Sequence, residues 1–289
     1  MTMSTNLRTN AKRFWPLIKS LQTGLLLLTG LAGFMSSRCP VTNWQILLAL
    51  TGSLFLAISG STILNMWYDR DIDAKMSRTA KRPLPSGQVS PHEALRLGLI
   101  FAIAGVGWAV ALDALYGLIV FAGLFFDVVV YTIWLKRRTP WSIIWGGVSG
   151  GMPVLAGRAL GMGQIEWVGM TLALAVLFWI PTHIMTFSLR YREDYARAGV
   201  PTFPAVYGVQ TTHIIIAISS VLAALMMALS AYGIGLTIGY LRLLAVPAAG
   251  LLLLALPTFL TPSEKLYFGL FKYASLYMLS TMLLFIFFV

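Results

Sequence analysis

Three side chains with hard oxygen atoms recur at four-residue intervals in one polar stretch of the chain. They are Asn65, Asp69 and Asp73. On an α-helix each lags its predecessor by roughly 40° and lies about 6 Å further along the axis, so all three share one face. Mg²⁺ prefers such oxygen ligands, keeps several waters, and binds a few carboxylates together with substrate phosphates. Asp71 falls on the opposite face, and we exclude it from the predicted metal site.

A cluster of basic residues follows this acidic stripe directly along the chain. Arg78, Lys81 and Arg82 lie where guanidinium and ammonium groups can hold the oxygens of a phosphorylated substrate. The alternative is an ordinary solvated helix end, in which Asp71 and Lys75 form an ion pair four residues apart. The combination of three spaced oxygen ligands with a trailing basic cluster favours a site for a metal and a diphosphate.

A second polar loop, residues 189–211, carries its own acids and bases. Glu193 and Asp194 are candidate ligands of a second metal, and Arg190 and Arg192 are candidate phosphate ligands. A diphosphate at about −3 with three carboxylates makes about −6, of which two Mg²⁺ neutralise four. About two cations are then needed from the protein, and the two loops supply more than that.

Five further side chains lie within or beside long apolar runs. Lys136 and Arg137 are either diphosphate ligands or positively charged anchors at the membrane surface. Asp127 lies deep in such a run, where an ion is costly unless it is paired or hydrated, so it is expected to face the interior with Tyr131 on the same face. Its role is either structural or catalytic. His183 is either a packing residue or a ligand contact.

Three other polar side chains have simpler expected roles. Arg158 is expected to snorkel toward the nearer membrane surface, and His92 and His213 are expected to lie on the surface of the protein.

Composition indicates which class of protein carries these groups. Hydrophobic residues make up 58% of the 289 residues and charged residues 11%, with a mean hydropathy of +0.79. A soluble domain carries about 25% charged residues. The net charge of +11 is explained by Lys and Arg in the loops on one side of a membrane, so no nucleic-acid partner is expected. The chain is predicted to be a polytopic membrane protein.

Nine apolar runs are long enough to cross a bilayer. They lie at 16–36, 43–65, 94–112, 115–135, 141–160, 167–188, 212–232, 237–259 and 267–289. The distribution of Lys and Arg places the N-terminus and the loops 66–93 and 189–211 in the cytoplasm and the C-terminus outside. The leader 1–13 shows no signal-peptide cleavage site and is too short for a mitochondrial transit peptide, which favours a prokaryotic plasma membrane. A single domain is predicted over 1–289.

Three motifs of this chain resemble those of the UbiA-type intramembrane prenyltransferases. They are Asn65-x3-Asp69-x3-Asp73 with Arg78-Thr79 and Arg82-Pro83-Leu84, then Tyr131-Thr-Ile-Trp-Leu-Lys136-Arg-Arg138-Thr, and finally Tyr191-Arg-Glu-Asp194-Tyr195-x3-Gly199-Val-Pro201. The glycine-rich run from Gly146 to Pro153 is also similar to that family. The first motif is shared across the family, whereas the last one is most similar to its heme-farnesylating branch.

The resemblance implies an all-α fold, with nine transmembrane helices in a ring around a central cavity that the two acidic loops cap. It also implies Mg²⁺-dependent transfer of a farnesyl group from farnesyl diphosphate to a vinyl group of heme b through an allylic carbocation, giving heme O. The catalytic residues that it implies are Asp69, Asp73, Lys136 and Asp194. The implied acceptor contacts are Asp127, Tyr131 and His183.

Two other functions are consistent with the same residues. One is a UbiA-type enzyme that prenylates a quinone precursor or another aromatic acceptor. The other is a transporter whose loop acids bind cations, although a transporter is expected to place its ionisable residues near the middle of the bilayer. Most of the ionisable residues here lie at the rim of the predicted bundle, with Asp127 the main exception, and this distribution favours an enzyme.

Overall fold

The computed structural model describes residues 13–37, 43–236, 238–257 and 263–287. Every regular element in these ranges is helical, which confirms the predicted all-α class for the described part of the chain. The predicted leader 1–13 lies outside the described residues except for Arg13. That residue donates from its Nη2 to Glu93 Oε2 at 2.7 Å.

The helices follow the predicted apolar runs closely. In chain order the elements are a 3₁₀ turn at Trp15–Ile18, α1 (Ser20–Met35), α2 (Trp44–Tyr68), α3 (Arg70–Lys75), α4 (Pro91–Leu112), α5 (Ala114–Phe125) with a π-helical continuation at Phe126–Leu135, α6 (Ser142–Met162), α7 (Trp167–Arg190), α8 (Arg192–Ala198), α9 (Phe203–Val206), α10 (Gly208–Ile234), α11 (Ile238–Ala255) and α12 (Glu264–Phe287). A tight turn separates α4 from α5, and Asp113 caps α5 by accepting a 2.7 Å hydrogen bond from Tyr116 N.

Seven of the described helices are long and apolar enough to cross a membrane. They are α2, α4, α5 with its continuation, α7, α10, α11 and α12. Helix α1 has 16 residues, which is short for a full span, and α6 combines a glycine-rich run with a buried Arg158. The count of nine spans and the orientation with the N-terminus in the cytoplasm therefore remain predictions.

The long helices form a closed ring in chain order. Each long helix contacts the next one along the chain, and α12 returns to contact α1. Helix α6 also contacts α1 across the ring, and glycines make this approach possible. A Cβ atom at Gly157 would lie 1.9 Å from the carbonyl oxygen of Gly30, and one at Gly33 would lie 2.1 Å from that of Val154. The two backbones therefore touch, as small residues allow in membrane helices.

Replacing Gly157 with alanine is expected to destabilise the protein by about 1–3 kcal/mol, because the added methyl group must push α1 and α6 apart. The measurement is the thermal unfolding midpoint in detergent. Gly24→Ala in α1 is the matched control, since a Cβ atom there meets nothing within 4 Å. Equal midpoints for the two variants would contradict the tight contact between the helices.

Two of the expectations for lone polar residues are wrong. Arg158 does not snorkel, because its Nε donates to Glu166 Oε1 at 2.5 Å and its Nη1 donates to Ser36 O at 2.5 Å, which satisfies the guanidinium inside the protein. His213 is 3% exposed rather than on the surface, and its Nε2 lies 2.7 Å from Tyr267 Oη. His92 is exposed, as expected.

Candidate active site

A cavity of about 760 Å³ lies inside the helical ring. Its volume falls in the range of roughly 300–1,000 Å³ that is typical of small-molecule sites. Most of the lining is apolar and comes from α1, α2, α5, α6, α7 and α12. Charged lining residues come from α3 and the segment that follows it, from the two ends of the π-helical segment, and from the turn before α1. They are Lys19, Asp73, Arg78, Arg82, Asp127 and Lys136.

The predicted acidic stripe keeps its helical register across the junction of α2 and α3. Asp69 lies between the two helices, yet Asp69 N donates to Asn65 O at 2.9 Å and Asp73 N donates to Asp69 O at 2.8 Å. The side chains of Asp69 and Asp73 are buried, whereas the Asp71 side chain is 55% exposed. Hydrogen bonds from Arg137 hold the pKa of Asp71 below its usual value. The exclusion of Asp71 from the stripe therefore agrees with the structure.

Both buried acids of the stripe form ion pairs with cationic side chains of the protein. Lys136 Nζ contacts Asp69 Oδ2, and Arg137 Nη2 lies 3.7 Å from Asp69 Oδ1. Arg82 Nη1 donates to Asp73 Oδ2 at 2.7 Å. Asp73, Arg82 and Lys136 line the cavity, but Asp69 does not. Asp69 is thus covered by Lys136 on the side of the cavity.

The π-helical segment connects Asp127 to the stripe. Asn65 Nδ2 donates to Thr132 Oγ1 at 2.7 Å, and Thr132 Oγ1 donates to the backbone oxygen of Asp127 at 2.7 Å. Ser61 Oγ donates to Asp127 Oδ2 at 2.5 Å. The amide nitrogen of Asn65 is therefore engaged, and its Oδ1 has no protein partner within the described part of the chain.

The π-helical register also determines how Tyr131 meets Lys136. Lys136 N donates to Tyr131 O, five residues earlier, at 2.8 Å. The Lys136 ammonium lies 5.5 Å from the centre of the Tyr131 ring, a cation–π contact. Such π-helical insertions often occur at functional sites. Here the insertion places the side chains of Tyr131 and Lys136 next to each other in the cavity wall.

Arg78 joins the two polar loops through aromatic rings. Its guanidinium carbon lies 4.8 Å from the ring centre of Phe187, 5.7 Å from that of Tyr191 and 5.4 Å from that of Tyr195. Its Nη2 donates to Tyr195 Oη at 3.2 Å, while its Nε is buried without a hydrogen-bond partner. An aromatic cage of this kind keeps the charge of Arg78 in place at the cavity edge.

Asp194 connects the second polar loop to the first through hydrogen bonds. Ser77 Oγ donates to it at 2.8 and 2.9 Å, and Arg197 Nη2 contacts its Oδ1. Desolvation would raise the pKa of Asp194, but the hydrogen bonds from Ser77 and Arg197 outweigh it and hold the pKa below its usual value. Asp194 is 4% exposed and does not line the cavity.

The remaining predicted ligands, which come from the two loops and from Arg137 after the π-helical segment, lie away from the cavity. Arg137 contacts Asp71 and the Tyr68 ring, and Arg190 lies over the Phe268 ring with its guanidinium carbon 3.9 Å from the ring centre. The exposed members of the set are Lys81, Arg190, Arg192 and Glu193. None of these five residues lines the cavity. The structure thus brings together the first motif and Lys136, and leaves most of the second loop outside.

The oxygens of the stripe fit a hard divalent cation. Asp69 Oδ1 is buried and accepts no hydrogen bond, and Asn65 Oδ1 has no protein partner within the described ranges. The described residues contain no group of three or more acidic, His or Cys side chains that can hold a metal alone. Mg²⁺ commonly completes its coordination with waters and substrate phosphates. The residues present therefore suit a metal that arrives with a phosphorylated ligand.

An aromatic stack forms another wall of the cavity. The ring of His183 lies between Trp179, at 4.7 Å between centres, and Phe271, at 4.4 Å. His183 Nδ1 lies 3.3 Å from Ser275 Oγ, and its Nε2 has no protein partner among the described residues. This wall of the cavity is therefore aromatic, and it contains one imidazole nitrogen without a protein partner among the described residues.

Lys19, Ser61 and Thr132 had no predicted role, yet the structure places all three at the cavity or in contact with the stripe. Lys19 and Ser61 line the cavity, and Thr132 orients Asn65. The presence of a lysine within the first predicted apolar run, 16–36, was a usable signal. The part played by the two hydroxyl groups depends on helix packing and carries no such signal.

Comparisons with known proteins bear on what this cavity binds. The model of the UbiA prenyltransferase family matches residues 26–288. A protein of Korarchaeum cryptofilum named protoheme IX farnesyltransferase is 45% identical over 206 residues, which cover 71% of this chain and 69% of that protein. A protein of the same name from Desulforudis audaxviator is 36% identical over 274 residues, which cover 94% of this chain and 86% of the relative.

The fold is similar to that of a solved UbiA structure. A UbiA homolog from Archaeoglobus fulgidus bound to GPP and Mg²⁺ superposes with a TM-score of 0.71, covering 95% of this chain and 99% of the homolog. Its sequence is 16% identical to this one, so the likeness concerns the fold.

Proposed function

Because this chain belongs to the UbiA prenyltransferase family and is therefore a prenyltransferase of the membrane, we propose that it transfers a farnesyl group from farnesyl diphosphate to a vinyl group of heme b with the help of Mg²⁺. The product of this reaction is heme O. We further propose that the protein spans a prokaryotic plasma membrane with its two acidic loops in the cytoplasm.

One observation carries the proposal for the donor. The stripe of Asn65, Asp69 and Asp73 lies beside Arg82 and Lys136 at one part of a cavity whose other walls are mainly apolar. A prenyl diphosphate has the matching character, since a charged head group is joined to a long apolar chain. A transporter of small ions needs no such apolar volume.

The stripe would hold the metal with the diphosphate. Asn65, Asp69 and Asp73 supply the oxygens, and bound Mg²⁺ would act as a Lewis acid on the diphosphate. Asp194, which we predicted as a further ligand, would have to exchange Ser77 and Arg197 for the metal. Glu193 is exposed beside it and would need the second loop to close further over the cavity.

The cations of the cavity account for departure of the diphosphate. When the allylic C–O bond breaks, both bonding electrons leave with the diphosphate oxygen, and Arg78, Arg82 and Lys136 are placed to stabilise that charge. The apolar walls hold the farnesyl chain and limit the access of water, which protects the allylic cation from hydrolysis. These cationic side chains act through their charge and their place beside the leaving group.

The aromatic wall supports heme as the acceptor. The stack of Trp179, His183 and Phe271 suits a flat macrocycle, and His183 Nε2 is a candidate contact for its iron. The vinyl group of the acceptor attacks the allylic carbon, and a water molecule then adds to the resulting cation and releases a proton. We place Asp127 and Tyr131 beside this acceptor because both line the same cavity.

The purified protein should convert farnesyl diphosphate and heme b to heme O in the presence of Mg²⁺, as measured by mass spectrometry. Chelation of the metal with EDTA should stop the reaction, and added Mg²⁺ should restore it. Inverted membrane vesicles should use external farnesyl diphosphate, which does not cross the bilayer, whereas right-side-out vesicles should not. Prenylation of a hydroxybenzoate or naphthoate with heme unchanged would overturn the heme assignment, and activity only in right-side-out vesicles would reverse the orientation.

A further inference from the structure

Lys19 occupies an unusual backbone position at the edge of the cavity. It joins the 3₁₀ turn at Trp15–Ile18 to α1, with φ 48° and ψ 61°. It is the only residue besides glycine with a positive φ in the described part of the chain. A residue with a long side chain adopts this left-handed conformation at an energetic cost.

The surrounding fold maintains this conformation. Thr23 Oγ1 donates to Ile18 O at 2.6 Å, and Thr23 N donates to Lys19 O at 3.1 Å. These bonds close the turn on both sides of Lys19. As a result the side chain of Lys19 reaches the cavity instead of continuing along the outer surface of α1.

The charge of Lys19 has no partner among the residues that the structure describes. The Lys136 ammonium contacts Asp69 and the Arg82 guanidinium binds Asp73, but the side chain of Lys19 makes no hydrogen bond or ion pair with any described residue. Two nearby cations, Arg82 and Lys136, repel it, while the carboxylates of Asp73 and Asp127 attract it without contacting it. A partly buried ammonium in such a position is unfavourable until an anion joins it.

We propose that Lys19 binds the diphosphate of the prenyl donor directly, as an additional cation beside Arg82 and Lys136. This role rests on the proposed function, because it requires a diphosphate in the cavity. The strained turn and the unpaired charge are both explained if Lys19 is held ready for an anion that the free protein lacks. It also adds a ligand from the turn before α1 to a site that otherwise draws its cations from the α2–α4 segment and the end of the π-helical segment.

The test is the affinity of Lys19→Met for inorganic pyrophosphate with Mg²⁺, measured by calorimetry in detergent. The dissociation constant is expected to rise roughly 10- to 100-fold, as for loss of a hydrogen bond to a charged group. Lys19→Arg should recover most of the affinity. Lys75→Met is the matched control, because Lys75 is exposed, away from the cavity, and should bind as the parent protein does.

A measurement on the unaltered protein covers the case in which Lys19→Met fails to fold. Pyrophosphate with Mg²⁺ should protect Lys19 from reductive methylation, as read by mass spectrometry, and leave Lys75 unprotected. Unchanged pyrophosphate affinity in folded Lys19→Met, or no protection of Lys19, would overturn this role, and weaker heme binding alone would assign Lys19 to the acceptor. If the parent protein binds no pyrophosphate at all, the proposed function fails as well.

Discussion

Asp69→Asn and Asp73→Asn should each slow Mg²⁺-dependent release of pyrophosphate from farnesyl diphosphate by about 10²- to 10³-fold, a loss typical of a group that stabilises charge in the transition state. Both carboxylates are buried in one helical stripe, and Asp69 Oδ1 accepts no hydrogen bond in the protein. An amide of the same size preserves the packing but removes the negative charge that a divalent cation needs. The measurement is pyrophosphate production with heme b as acceptor.

Asp71→Asn is the matched control for these two substitutions. Asp71 belongs to the same short helix as Asp73, yet it is exposed and bound by Arg137. Its replacement should change the rate by less than about threefold, since surface ion pairs contribute only about 0–1 kcal/mol. Full activity in both Asp69→Asn and Asp73→Asn would show that the stripe takes no part in the reaction, even if the protein remains a prenyltransferase.

The four-residue spacing of the stripe was predictable because it depends on local helical geometry. Asn65, Asp69 and Asp73 keep that geometry even where α2 gives way to α3, since the backbone hydrogen bonds continue through Asp69. The helix positions were predictable for a related reason. A run of apolar residues long enough to cross a bilayer must satisfy its backbone within the helix, so its limits follow from composition alone.

The partners of the charged residues could not be predicted in the same way. Lys136 and Asp69 lie 67 residues apart, and the contact between them depends on how the π-helical segment packs against α2. The π-helical register itself breaks the 3.6-residue period from which sequence patterns are read. A lysine within an apolar run was a usable signal for Lys19, but its access to the cavity depends on a left-handed turn that the sequence does not indicate.

The second loop also shows that contacts between residues distant in the sequence could not be predicted. Its acids and bases were grouped with the first loop by charge, and Asp194 does connect the two loops through Ser77. The sequence does not show that this carboxylate is engaged by protein groups outside the cavity. Its neighbours Arg192 and Glu193 are exposed.

The cation that covers Asp69 leads to a prediction with two effects of opposite sign. Lys136 lines the cavity, whereas Asp69 beneath it does not, so a metal in the cavity reaches Asp69 only if Lys136 moves away. A bound diphosphate gives the displaced ammonium a new anionic partner. Lys136→Met should therefore bind Mn²⁺ alone about 10-fold more tightly than the parent protein, because a nearby positive charge has been removed. The same variant should bind Mg²⁺–pyrophosphate at least about 10-fold more weakly.

Electron paramagnetic resonance of free and bound Mn²⁺ measures the first effect, and calorimetry with pyrophosphate measures the second. Lys136→Arg keeps the charge, so its changes in Mn²⁺ affinity and in pyrophosphate affinity should both be smaller than those of Lys136→Met. Lys75→Met, at an exposed position, should resemble the parent protein. Removal of Lys136 leaves Asp69 buried beside only the more distant Arg137, so the variant should unfold at a lower temperature and recover on addition of Mn²⁺. A Mn²⁺ affinity that falls in Lys136→Met would show that Lys136 does not compete with the metal for Asp69. Opposite changes would mean that the metal and the diphosphate enter the site as one unit, with Lys136 transferring its contact from the carboxylate to the phosphate.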